Sequence, residues 1–453
     1  MKICLFGKYP PIQGGVSMRT YWTAHELAKR GHTVHVVTNA REASLPYRMF
    51  MRDEDWARCE AQYGGGSVTV HWTASERREW HIPTGTAFAT KLASLGLDVA
   101  RREGIDLIYS YYVEPYGIAA HIVAQATGLP HVTRTAGSDA GRLWSLPQFA
   151  ALYDHVFKSA DAVLCSPAVV SKMIEAGVDS ARIADNGQRH VKLRDVFAPD
   201  GPALDVELLR AQVSAAHDAD FRSMLFGDFD PALTYVGVYG KLGSAKGTRP
   251  LLHAIKRVAD GGLPIGLLVM AHERPGPRDA FRDHVREHGL EARICQLPFL
   301  PHWRVPEFIR RCAAICCLEQ DFPIAFHDPV VAREVLTCGG CLVASTEVVA
   351  KLPEAHRLAD GRSCIAVRDV NDVEDLMGKL VSVLDSPDRT RDMRRRARHY
   401  GVDIEADNGF PRRLESILRD ICETRRLSPG NIGSAQPSRH VDRRADAVEL
   451  VAG

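Results

Sequence analysis

The chain has 453 residues, of which 45% are apolar and 25% charged, the balance of a globular protein and not of a disordered or fibrous one. Its 57 basic residues nearly cancel its 56 acidic ones, so no overall field draws it to nucleic acid or to an anionic membrane. The length exceeds one ordinary domain and suits two of about 150 to 200 residues each.

Lys2 to Phe6 reads as a short buried strand, followed by a Pro/Gly loop from Tyr9 to Gly15. A helix is expected from about Ser17 to Arg30, stopped by Gly31, and a second strand from Thr33 to Thr38. Strand, loop, helix and strand in this order begin a parallel sheet covered by helices. Further strands are expected at Val68 to Trp72, Asp106 to Ser110, His131 to Thr135 and Ala162 to Ser166, with a helix over Pro115 to Thr127. Residues 1–195 thus form a Rossmann-like first domain. A Pro/Asp/Ala-rich stretch over 196–231, with a helix from Val206 to Ala216, reads as the interdomain connection.

A second alternating series fills 232–404, with strands at Thr234 to Val238, Ile265 to Met270, Arg293 to Gln296, Ala314 to Leu318, Cys341 to Ser345 and Cys364 to Val367. A last helix, about 405–425, is expected to pack back on the first domain. The polar, Gly/Pro-containing tail over 427–453 is expected to be disordered. The fold class is therefore α/β, with two doubly wound Rossmann-like domains facing a central cleft. The first residues carry too short an apolar run for a signal peptide, and no stretch reaches the length of a membrane span. The eleven irregularly spaced cysteines read as buried free thiols. Both features lead to the expectation of a cytoplasmic protein.

The carboxyl ends of two such sheets face a shared cleft, where ligands bind. Three segments fall there. Gly14 and Gly15 sit between the first strand and first helix, where glycines allow close backbone approach and free N–H groups favour an anionic oxygen. No G-x-G-x-x-G follows, which argues against an NAD enzyme. The loop from Gly240 to Gly247 carries Lys241 and Lys246, two ammonium groups able to neutralise a diphosphate. The stretch Glu319 to Glu334 runs from a polar loop into a helix, and Glu334 can accept from a vicinal diol. Arg394-Arg395-Arg396 reads as a solvated helix face, and Cys338-x-x-Cys341 as a helix stop without a second ligand pair. The histidines show no metal-ligand spacing.

Gly14-Gly15-Val16-Ser17, Gly31-His32-Thr33-Val34, Asn186-Gly187, the Gly240 to Gly247 loop and the Glu334 to Gly339 helix stand in the order seen in GT-B glycosyltransferases of family four, which residues 1 to 425 resemble. The resemblance implies retaining, metal-independent sugar transfer from a nucleotide-diphosphate sugar, with no cofactor beyond that substrate and an acceptor it does not name. It implies Lys241 and Lys246 on the donor diphosphate and Glu334 on the ribose, these three being the catalytic candidates. Gly14, Gly15, Gly240, Gly247 and the stretch Phe326, His327, Asp328, Pro329 and Val330 are the donor-binding candidates, with Glu114 and Asp139 on the acceptor or sugar side. Two positions depart from the family pattern. Phe326 stands where the first Glu of an E-x7-E motif belongs, with His327 and Asp328 beside it, and Ala136 stands where the family often has a His. A membrane-bound acceptor is compatible with the resemblance, but no basic amphipathic helix predicts membrane docking. The alternatives on the same fold are a nucleotide-binding subunit without transfer, a nucleotide-sugar epimerase or a phosphorylase.

Overall fold

The computed structural model describes residues 1–44, 47–74, 88–185, 193–216, 218–271, 275–322, 328–406 and 409–427. The first sheet holds β1 (Lys2–Gly7), β2 (Thr33–Thr38), β3 (Ala61–Gln62), β4 (Ser67–Trp72), β5 (Leu107–Tyr111), β6 (His131–Arg134), β7 (Ala162–Cys165) and β8 (Ile183–Asp185). Their order is β3-β4-β2-β1-β5-β6-β7-β8, parallel except for β3 against β4. The unbroken apolar run Ile3-Cys4-Leu5-Phe6 is what a strand covered on both faces requires. Ile3 and Leu5 feed one core cluster while Cys4 and Phe6 feed another on the opposite face. The two-residue β3 and the three-residue β8 escape sequence reading because neither is long enough to show a period.

The second sheet is wholly parallel among the described residues, with β9 (Thr234–Gly240), β10 (Ile265–Ala271), β11 (Ile294–Leu297), β12 (Ala314–Cys317), β13 (Leu342–Ser345) and β14 (Ile365–Val367) in the order β11-β10-β9-β12-β13-β14. In each sheet the first strand of the series has neighbours reached in opposite directions, β2 and β5 around β1, β10 and β12 around β9. Chain reversal at these points opens a crevice beyond the carboxyl ends of β1 and β9. The helices used below are α1 (Gly15–Lys29), α2 (Thr248–Asp260), α3 (Pro275–Glu287), α4 (Val330–Thr337), α5 (Pro387–Ala406) and α6 (Phe410–Leu427), of which α1 and α4 line the site.

The segment read as the interdomain connection is packed on the second domain. Phe197, Leu204, Val206, Leu209 and Val213 are buried in a core cluster of the second domain, because its helix, Val206–Ser214, has an apolar stripe that must be covered. After α5, which lies on α4 of the second domain, the chain returns to the first. Phe410, Leu414, Leu418 and Cys422, four residues apart along α6, are buried with Ile3, Leu5 and Tyr21. Glu415 on the same helix accepts from Arg30 and Arg419 and lies 3.0 Å from His32 Nε2. Burial alone would raise its pKa, yet these hydrogen bonds hold the carboxyl down at about 2. All eleven cysteines are free and buried. No helix among the described residues is long and apolar enough to cross a membrane.

Candidate active site

The two crevices meet in one cavity of about 500 Å³. From the first domain its wall takes Gly14, Gly15, Arg19 and Thr135 to Ser138, and from the second Tyr239, Gly240, Lys241, His302, Lys246, Glu319, Asp328, Val330 and Glu334. The domains touch directly at its edge. Trp303 Nε1 donates to Asp55 Oδ1 at 2.8 Å, Phe50 N donates to Phe299 O at 2.8 Å, and the Tyr21 and Trp303 rings lie 4.7 Å apart.

Gly14 has φ 103° with open space where a Cβ would project, so the residue before α1 takes a left-handed conformation that side chains resist. It makes no side-chain cap, and α1 has no acidic residue in its first turn. The N–H groups of that turn therefore need an acceptor from elsewhere, the ordinary condition of an anion site. Arg19, one turn further along α1, adds a guanidinium to the same wall.

On the opposite wall Lys241 is exposed and, among the described residues, has no ion-pair partner. Lys246 pairs with the buried Glu319 carboxylate and lies 4.4 Å from the centre of the Phe322 ring. Lys8, from the first domain, stands 4.3 Å over the Tyr112 ring. Burial pushes its pKa down, Asp139 counteracts, and the charge of Lys241 pushes it down further. Two cations from different domains thus repel across a gap that an anion would relieve.

Glu334 is the most constrained group of the wall. Tyr239 Oη donates to its Oε2 at 2.7 Å, and His302 Nε2 lies 2.6 Å from its Oε1. The indole N–H of Trp22 donates to His302 Nδ1 at 2.9 Å. An indole nitrogen only donates, so Nδ1 must be the accepting nitrogen and Nε2–H the donor to Glu334. The relay Trp22–His302–Glu334–Tyr239 joins α1 of the first domain to α4 of the second. Burial and the neighbouring carboxylate raise the Tyr239 pKa well above its ordinary value.

The sequence-predicted residues separate into groups. Gly14, Gly15, Gly240, Lys241, Lys246, Asp328, Val330 and Glu334 share the cavity. Gly247 does not. It is buried with φ 65°, and a Cβ there would come within 2.7 Å of Leu318 and Val370, so this glycine serves the packing of the loop. Pro329 is buried as the residue before α4. Phe326, His327 and the Asn186-Gly187 pair lie outside the described residues. Asp328 is held as an interdomain tie, 3.0 Å from Arg333 Nη1 and 3.5 Å from Arg19 Nη2. A donor-binding candidate by sequence, it is already engaged by these two guanidinium groups.

Asp139 is wholly buried and absent from the cavity wall. Its carboxylate accepts from the backbone N–H of Val113, Ala136 and Ala140 at 3.0, 2.7 and 2.8 Å, knitting two loops together. Burial outweighs these donors and raises its pKa to about 6. Glu114 is half-buried beside the loop and also lies off the wall, with its pKa raised by burial. Neither acid faces the cavity where an acceptor or sugar would sit. The Cys338 and Cys341 thiols are pushed up to about 11, chiefly by burial, in keeping with inert packing.

Arg19, Tyr239 and His302 were not among the predicted residues. Arg19 carried a usable signal, a cation one helical turn after the glycines. Tyr239 and His302 carried none, because only the packing of β9 and the loop after β11 brings them to Glu334.

Residues 14–187 match the glycosyl transferase 4-like domain. An uncharacterized glycosyltransferase of Methanocaldococcus jannaschii is 22% identical over 157 residues, 32% of this chain and 43% of that protein. The N-acetyl-alpha-D-glucosaminyl L-malate synthase of Bacillus anthracis is 27% identical over 157 residues, 34% of this chain and 36% of that protein. The chain thus matches less than half the length of these curated relatives. Among solved structures, Anabaena HepE in complex with UDP-glucose is 15% identical with a TM-score of 0.59, covering 93% of this chain and 100% of that one. UDP-N-acetylglucosamine 2-epimerase shares the fold at a TM-score of 0.54 and 12% identity, covering 94% of this chain and 98% of that one. The first domain of this chain is thus similar to the glycosyl transferase 4-like family, and its two domains together have the GT-B fold.

Proposed function

We propose that this chain is a retaining, metal-independent glycosyltransferase that takes its sugar from a nucleotide-diphosphate donor, with uridine the first base to test. The observation that carries the reading is the convergence on one cavity of Lys241, Lys246 and Glu334 from the second domain with the uncapped start of α1 from the first. The diphosphate would lie between the lysines and the α1 N–H groups. As the bond between sugar and phosphate breaks, negative charge accumulates on the leaving diphosphate, and fixed cations and N–H dipoles stabilise that charge more than the ground state. Lys246 exchanges its Glu319 partner for phosphate. Glu334, oriented by Tyr239 and His302, retains acceptor capacity for the ribose hydroxyls, since an ionised carboxylate offers about four lone-pair sites and two are used. The acceptor hydroxyl then attacks on the face the diphosphate leaves.

HepE was solved with UDP-glucose, and the Bacillus anthracis relative is named an N-acetyl-alpha-D-glucosaminyl L-malate synthase, which together favour a UDP-linked hexose. A thermal-shift screen of nucleoside diphosphates and their sugars identifies the donor, because a ligand of the folded state raises apparent stability. Transfer is then followed by the acceptor's gain in mass, with and without chelator. Activity lost with chelator and restored by magnesium or manganese refutes metal independence. An isomerised donor with no acceptor product indicates an epimerase.

A further inference from the structure

The histidines were read in sequence as showing no metal-ligand spacing, yet His284 and His288 stand four residues apart and the fold brings His253 beside them. His253 on α2, His284 on α3 and His288 just beyond α3 place one ring nitrogen each within 4.8 Å of one another. His284 and His288 are four residues apart, the spacing that stacks side chains on one helix face, and their rings are 4.2 Å apart. His253 reaches across from α2, with ring distances of 5.1 Å to His284 and 5.0 Å to His288.

The orientation of the nitrogens points the same way. His284 Nε2 and His253 Nε2 are 3.2 Å apart. Two nitrogens bound tetrahedrally to zinc at about 2.05 Å stand about 3.3 Å apart. His288 Nδ1 is 2.9 Å from the carbonyl oxygen of His284. A carbonyl only accepts, so Nδ1 carries the proton and Nε2 keeps its lone pair. His284 Nδ1 faces the Glu287 carboxylate at 3.7 Å. A ring N–H turned to a carbonyl, with the other nitrogen left to accept, is how metal-binding imidazoles are held, and His288 meets this condition.

The scaffold does not depend on the histidines. Leu251, Leu252 and Ile255 of α2 and Phe281 and Val285 of α3 are buried in one core cluster, which fixes the two helices.

We propose that His253, His284 and His288 form a binding site for a zinc-class divalent cation that clips α2 to α3 on the outside of the second domain. Three imidazoles without a carboxylate in contact suit zinc, copper or nickel and not magnesium or calcium. The rings are partly exposed, which leaves an outward position for water. None of the three lines the cleft, so the site is independent of donor binding.

The test uses the full chain stripped with chelator and titrated with zinc chloride against a chromophoric competitor. One zinc per chain is expected. Cobalt in its place should give the intense visible absorption of tetrahedral coordination. His253→Ala and His288→Ala should each weaken zinc by at least about tenfold and abolish the zinc-dependent rise in melting temperature, with UDP binding unchanged. If His253→Ala fails to fold, His288→Gln at the surface carries the test alone. Absence of zinc binding in the unaltered chain, or undiminished affinity in the folded variants, overturns the proposal.

Discussion

Replacing Glu334 by Gln tests the ribose assignment with little change in volume. The carboxylate accepts from His302 Nε2–H at 2.6 Å and from Tyr239 Oη at 2.7 Å. His302 cannot turn its proton to Nδ1, because that nitrogen already accepts from Trp22. The glutamine must therefore set its oxygen toward His302 and its NH2 toward Tyr239, whose hydroxyl can reverse and accept. The fold survives this exchange, but the side chain loses its charge and the second accepting oxygen. Losing charge-assisted hydrogen bonds to the ribose should weaken binding by about 1.5 to 3 kcal/mol, roughly ten- to a hundredfold. Calorimetry with UDP and with the intact sugar donor should show the same loss for both, because the ribose is common to them, while inorganic pyrophosphate should bind unchanged. A variant with normal thermal denaturation and unaltered UDP affinity would refute the ribose assignment.

Lys241→Ala should reduce UDP affinity by at least about tenfold and leave uridine unaffected; equal losses for both ligands, measured by calorimetry, would remove the lysine from the diphosphate. Arg333→Met removes the guanidinium that pairs with the buried Glu405 carboxylate, and should destabilise the chain by about 3 to 5 kcal/mol. Urea denaturation should show much of this recovered in the Arg333→Met, Glu405→Leu double variant, and simple additivity would contradict the pairing. Asp139, with its folded pKa raised to about 6 from 3.8, binds its proton more tightly folded than unfolded. Its protonation therefore stabilises the fold fully below pH 4, and that contribution fades as pH rises through 6, by up to about 3 kcal/mol. Asp139→Asn should lack this segment of the pH–stability curve, and a variant with an unchanged curve would contradict the raised pKa.

The order of the longer elements was legible because each is announced locally. Runs such as Ile3 to Phe6 and Ile265 to Met270 are apolar throughout, as strands buried on both faces must be, and glycines mark where helices start or stop. The strand and helix boundaries differ from expectation by a residue or a few, within the ambiguity of any element's end. Gly14, Gly15 and Lys241 were legible because they sit in the loops that follow β1 and β9, and Glu334 because it lies in the helix that follows a polar loop.

The sequence by itself determined two alternating α/β series, their glycine-rich turns and the lysines carried on one of them, since periodicity and turn chemistry are properties of neighbouring residues. Only the tertiary structure decided which side chains meet. Trp22 and His302 are 280 residues apart, and Arg19 and Asp328 are 309 apart. It also decided that Gly247 packs where Gly14 opens, that Asp139 holds backbone and not ligand, and that His253 joins His284 and His288. Such contacts depend on the register between helices and sheets packed against each other, and no local period in the chain encodes that register.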